Sequence, residues 1–203
     1  YAGTPGEFYQ DLCHPDAPFN DVYTDVLQHT PVAPMVAALW GTDEIWFMYE
    51  QIFLKEGCEA RRTPWHQVTS YLAVDGMHLA VVWITFDTCS KADSLEFIRN
   101  SHRGTLYNTS AFAEDDDTVP IYEGMPRLPD IEGNRSDWDV VSWAIEPGDA
   151  VIFHPSILHG GGPTHPGTRR RTLSLRYFGT DAVFAKRPGQ HTDRKSTRLN
   201  SSH

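Results

Sequence analysis

Residues 147–178, PGDAVIFHPSILHGGGPTHPGTRRRTLSLRYF, decide the fold. Pro147-Gly148-Asp149 is turn chemistry, and the apolar run Ala150-Val151-Ile152-Phe153 after it reads as a short strand. Ile157-Leu158-His159 leads into three glycines, which predicts a second strand with His159 at its end. Beyond a loop holding Pro163, Pro166 and Gly167, polar and apolar side chains alternate from Thr172 onward. A period of two puts Arg170, Thr172, Ser174 and Arg176 on one face. In a small barrel one face of each strand points inward, and a row of arginines and hydroxyls there is costly to bury unless an anion meets it. Taken alone, the same residues also fit a solvated basic corner at Arg169, Arg170 and Arg171 with an ordinary loop histidine at His159.

An upstream segment separates these readings. Thr63-Pro-Trp-His-Gln-Val-Thr-Ser-Tyr71 is followed by the Trp-containing stretch Val81-Val-Trp83-Ile-Thr-Phe-Asp87 and by Asn100-Ser-His-Arg103. Pro147-Gly148-Asp149, His159 and Arg170, eleven residues beyond His159, complete an ordered set. In this set the chain resembles the phytanoyl-CoA dioxygenase family of Fe(II)/2-oxoglutarate oxygenases, over roughly residues 25–185.

The resemblance implies a mainly β fold, a double-stranded β-helix (jelly-roll, cupin-like) barrel with flanking helices. It implies Fe(II), with 2-oxoglutarate and O₂ as cosubstrates, and a small organic substrate that is hydroxylated as succinate and CO₂ are released. Iron of this type is held by two histidines and a carboxylate on one face. His66 and His159 correspond to the histidines, and Arg170 to the fork for the far carboxylate of 2-oxoglutarate. Thr172 and Ser174 share its face, while Gln67 and Trp83 match positions that line the cosubstrate pocket in relatives. Arg169 and Arg171 are expected to be structural or solvent-facing.

One position departs from the pattern. The family's carboxylate ligand lies two residues beyond the first histidine, where this chain has Val68. Val cannot ligate a metal. Three accounts stand: a single base change from Asp, whether a read error or an inactivating variant; a halogenase with halide in the vacated site, which Val would crowd more than Ala or Gly; or a noncatalytic barrel that binds a small acid. Asp75, His78, Asp87 and His154 read better as turn, strand or supporting residues than as replacement ligands.

Composition bounds the partners. Lys and Arg number 17 against 27 Asp and Glu, a net charge of -10, which disfavours nucleic acid and anionic membranes. Local basic groups in such a chain point to a bound anion. Cys13, Cys58 and Cys89 are odd in number and lack metal spacing, as expected of reduced thiols in a cytoplasmic protein. No apolar run approaches the roughly 18 residues of a membrane span. One domain is expected over residues 1–192; Tyr1 in place of Met reads as a truncated start, and residues 193–203 resemble a translated sequencing adapter. Oligomeric state has no sequence signal.

Elsewhere the pattern predicts a helix over about 31–39 ending at Gly41, a strand over 45–54 turned by Lys55-Glu56-Gly57, and strands over 79–86 and 95–98. Residues 113–139 are long, acidic and turn-rich. They read as a lid or as a solvated insertion, with Ile121, Tyr122, Met125, Leu128 and Trp138 arguing for some packing.

Overall fold

The computed structural model describes residues 7–11, 20–56, 62–111 and 116–188. Cys13, Cys58 and the tail 193–203 lie outside them. The elements in chain order are β1 (Glu7–Asp11), α1 (Asn20–His29), α2 (Val32–Trp40), β2 (Trp46–Glu56), β3 (Val74–Asp75) and β4 (Leu79–Thr85). They continue with β5 (Leu95–Ile98), β6 (Val140–Ser142), β7 (Ala150–Phe153), β8 (His159–Gly161), β9 (Arg169–Phe178) and β10 (Val183–Phe184).

A five-stranded antiparallel sheet runs β1-β2-β9-β4-β7, and a three-stranded sheet runs β6-β5-β8. An antiparallel bridge between His66 and His159 adds a fourth, one-residue position beside β8. The long β9 lies between β2 and β4 although these come far earlier in the chain. Such crossed connections make two facing sheets a double-stranded β-helix, and the small sheet's open edge is where the His66 segment docks.

The period of two in β9 sorts its side chains as expected. Leu173, Leu175 and Tyr177 face outward into a core with Ala80 and Val82 of β4 and Val32 and Val36 of α2. Arg170, Thr172, Ser174 and Arg176 take the other parity, and all are buried. Register carries this parity across the sheet: Arg170, Ser174 and Arg176 stand opposite Lys55, Gln51 and Tyr49 of β2, and Ser174 stands opposite Trp83 of β4. The lumen therefore holds an unusual number of polar groups, while the helices cover the sheet's apolar back.

Helix α2 ends as the sequence implies, with Gly41 at φ 64 and its N–H returned to Ala37 and Ala38 carbonyls. Helix α1 was not expected. Its Tyr23, Val26 and Leu27, at helical spacing, lean on the same core. Lys55 and Glu56 do not turn the chain; β2 runs through both, paired to Arg170 and Arg169. His159 opens β8 rather than closing a strand. In the acidic segment, Leu128 and Ile131 are buried against Trp65 and Leu158, so its described part is packed rather than a solvated insertion. Among the described residues no helix is long and apolar enough to cross a membrane, and Cys89 is a buried free thiol.

Candidate functional site

The site is built where the single-residue strand at His66 meets the start of β8. His66 N–H donates to the His159 carbonyl at 2.9 Å and His159 N–H returns the bond at 3.0 Å. This closely spaced antiparallel pair sets the two imidazoles side by side, ring centroids 4.2 Å apart. The ring orientations are matched. His66 Nδ1 lies 2.9 Å from the Pro64 carbonyl and His159 Nδ1 lies 2.8 Å from the Ile157 carbonyl. A carbonyl only accepts, so each Nδ1 carries the hydrogen and each Nε2 carries the lone pair. That is the tautomer a metal-ligating imidazole needs, with its second nitrogen already oriented.

Electrostatics hold both rings neutral. Burial lowers the His66 pKa, and the Arg176 charge adds to this against the Pro64 hydrogen bond. Burial and the neighbouring His66 hold His159 well below the usual range, with Arg176 again contributing. Phe153 and Phe97 rings stand 4.8 Å and 6.0 Å from the His159 ring and wall it off from water.

Val68 is buried at 3% exposure and begins a short 3-10 turn, Val68–Tyr71. Gln67 between is extended, at φ -125 and ψ 118, so positions 66 and 68 project to the same side. The position that could supply a carboxylate beside the two imidazoles therefore supplies a branched hydrocarbon. Among the described residues no group of three His, Cys, Asp or Glu is gathered as a metal would require. The residues fit a metal at two donor positions and not at the third. Of the carboxylates considered as substitutes, Asp75 pairs with Arg187 and Asp87 with Arg171.

Arg170 is 7% exposed, and its Nη1 donates to the carbonyls of Asp93 and, at 3.4 Å, Gly162. Gly162 must be glycine here, because a Cβ would lie 2.5 Å from the Ala92 carbonyl oxygen. Lys55 sits across the ladder from Arg170, is 5% exposed, and donates to Thr63 Oγ1 at 3.4 Å. Burial, with the nearby Arg170 and Arg62 charges, lowers its pKa to about 7. A buried arginine and a buried lysine thus face each other across the β9–β2 ladder, and of the two only Arg170 was marked by the sequence. The signal was available: Tyr49, Gln51, Phe53 and Lys55 share one parity of β2.

The other expected pocket residues divide. Thr172 and Ser174 are buried on the lumen face of β9, and Trp83 packs with Cys89 and Ile145 opposite Ser174. Gln67 is spent on backbone: its Nε2 donates to the Thr105 and Ser156 carbonyls, and its Oε1 accepts from Tyr107 N–H. It clamps the turn after His66 rather than facing the lumen. Arg187, which no sequence pattern marked, does the same from behind, donating to the carbonyls of Thr69, Leu72 and Val74 and pairing with Asp75. Arg169 and Arg171 are exposed, and Arg171 pairs with Asp87 at 2.8 Å.

Known proteins share this architecture. The family model described as Phytanoyl-CoA dioxygenase (PhyH) matches residues 5–172. No curated protein matches the sequence. Among solved structures, EvdO2 from Micromonospora carbonacea var. aurantiaca, complexed with 2-oxoglutarate, is similar at a TM-score of 0.64 and 21% identity, over 89% of this chain and 70% of that one. AviO1 from Streptomyces viridochromogenes Tue57 gives 0.60 and 23%, over 88% and 70%. The epimerase SnoN, in complex with Fe3+, alpha ketoglutarate and nogalamycin RO, gives 0.62 and 17%, over 95% and 73%. At such identities the likeness establishes the shared barrel.

Proposed function

The chain belongs to the phytanoyl-CoA dioxygenase family, and from that premise we propose that its barrel is built for Fe(II)- and 2-oxoglutarate-dependent oxygenation of a small organic molecule, with turnover disabled in this copy by Val68. The observation that carries the reading is the pair of neutral, carbonyl-anchored imidazoles bridged backbone to backbone. Complexes of EvdO2 with 2-oxoglutarate and of SnoN with Fe3+ and alpha ketoglutarate support it.

His66 and His159 would hold the metal through Nε2. The metal, when bound, supplies O₂ activation coupled to decarboxylation of the 2-oxo acid. Arg170 and Lys55 would meet the far carboxylate of 2-oxoglutarate by charge-assisted hydrogen bonds, and Thr172 and Ser174 lie between Arg170 and Arg176 on the same face of β9. Phe97 and Phe153 keep water from the His159 ring. The aspartate pattern of the family and the projection of position 68 beside His66 make Val68 the defect. Because Val68 fills its position with buried hydrocarbon, a halide site there is disfavoured.

Comparing the Val68 protein with Val68→Asp tests this. Under anaerobic conditions Fe(II) and 2-oxoglutarate are titrated while the visible charge-transfer band of the chelate is followed; O₂ is then admitted and succinate assayed. The expected result is a band and succinate from Val68→Asp alone. Absence of iron binding in both proteins would overturn the assignment of His66 and His159.

A further inference from the structure

The oxygenase reading leaves Arg176 without a role. It has the lumen parity of β9 and is 4% exposed. Its Nη2 donates to Gln51 Oε1 at 2.7 Å, and its guanidinium carbon stands 4.4 Å from the centre of the Tyr49 ring. Two side chains of β2 thus fix the plane of the group. Nε and Nη1 are buried and, among the described residues, have no hydrogen-bond partner. No Asp or Glu among those residues pairs with the group either, so a full positive charge is enclosed with most of its donors unused. Such a group is a standing cost unless an acceptor enters.

Its surroundings identify where the acceptor would lie. Arg176 stands opposite Val81 of β4, Val81 stands opposite Phe153 of β7, and the Phe153 ring lies 4.8 Å from the His159 ring, so one row across the sheet leads from Arg176 to the histidine pair. Arg170 belongs to the other end of the lumen stretch of β9, with Thr172 and Ser174 between the two arginines. A cosubstrate held by Arg170 and Lys55 leaves Arg176 as the unmatched cation at the histidine end of the same face.

We infer that Arg176 is the specificity-determining residue of the primary-substrate pocket, and that this substrate is an organic monocarboxylate whose carboxylate is received by the unused Nε and Nη1 donors. This rests on the reading that 2-oxoglutarate occupies the Arg170 end. One guanidinium neutralises one negative charge, so a phosphoryl group or a second dianion would leave charge uncompensated. Gln51 and Tyr49 are positioning residues that hold the fork; they do not compete for the ligand's oxygens.

The test uses metal-free protein and two measurements that do not depend on turnover. Binding of acetate, phenylacetate and 4-phenylbutyrate, each against its primary amide, is followed by ligand-observed NMR with and without saturating 2-oxoglutarate. At least one acid is expected to bind roughly tenfold or more tightly than its amide, the size of a charge-assisted pair. Arg176→Met brings the acid to the level of its amide and leaves 2-oxoglutarate affinity unchanged. In the second measurement, Arg176→Met melts at the same temperature or higher without ligand, because an uncompensated buried charge has been removed. Should that variant fail to fold, Arg176→Gln carries the same comparison.

No preference for any acid in the unchanged protein overturns the inference, as does a lowered melting temperature with the acid preference intact, which would make Arg176 structural. Loss of 2-oxoglutarate binding in Arg176→Met would give this arginine to the cosubstrate and overturn the Arg170 assignment with it. A failed succinate assay in Val68→Asp beside intact acid binding would overturn only the oxygenase reading.

Discussion

At the scale of single residues, the lumen is defined by positive charge taken out of water, and Lys55 is the clearest case. With its pKa lowered from 10.5 to about 7, the folded side chain is half neutral at neutral pH, whereas the unfolded lysine keeps its proton to far higher pH. The unfolded state then binds more protons between about 7 and 10.5, so the ligand-free fold gains stability as pH rises through that window. A carboxylate entering beside Lys55 and Arg170 favours the charged lysine and draws a proton in. Affinity for 2-oxoglutarate is therefore expected to fall as pH rises above about 7, approaching tenfold per pH unit. Calorimetry at pH 8 in two buffers of different ionisation enthalpy should register proton uptake on binding, and Lys55→Met should abolish both the uptake and the slope. A flat pH profile in the unchanged protein would remove Lys55 from the anion site.

At the scale of elements, what was legible depended on whether a segment's pattern matched its final surroundings. The alternation in β9 survives because both faces are used, hydrocarbon toward α2 and polar groups toward the lumen. His66 and His159 were readable through family spacing, yet the backbone bridge that unites them has no local signature, since it joins residues far apart in sequence. Helix α1 escaped because prolines at 31 and 34 drew the helix start past it, and its apolar stripe is narrow. Lys55 escaped because a charged residue near a glycine reads as a turn. The acidic segment could not be placed from sequence, because its fastening comes from distant partners. Glu96 of β5 accepts from Arg62 at 2.7 Å and from Arg135 at 2.6 Å, and Glu132 accepts from Arg62, Arg135 and Trp65. Burial raises the Glu96 pKa, but the hydrogen bonds and charges of Arg135 and Arg62 outweigh it and leave it below the usual carboxylate range. Its contribution is thus present above about 4.5 and lost as pH falls through the lowered value. Glu96→Gln is expected to cost roughly 1–3 kcal/mol. Hydrogen exchange should accelerate at residues 128–135 before the barrel strands respond; unchanged protection there would mean that hydrocarbon packing of Leu128 and Ile131 alone holds the segment.

For the whole molecule, the acidic net charge of -10 and the cationic lumen are two parts of one arrangement. Lys55, Arg170 and Arg176 are buried in a chain of net negative charge, so the positive field of the interior is short-ranged and the exterior does not attract polyanions. Burying those three groups costs stability in the empty barrel, and any anion that enters returns part of it. The effect needs no metal and is independent of Val68. A ligand that binds only the folded state at a hundred times its dissociation constant stabilises by about 2.7 kcal/mol. For a domain of this length that corresponds to a rise of roughly 5–11 °C in melting temperature. Metal-free protein is expected to show such a rise with 2-oxoglutarate and to keep most of it with glutarate, which has both carboxylates but no keto group. The dimethyl ester of glutarate should be without effect. Added sodium chloride should weaken the rise only modestly, because enclosed charges are poorly screened. If glutarate gives no shift where 2-oxoglutarate does, recognition lies in the keto acid end, and the cationic lumen is not what holds the cosubstrate.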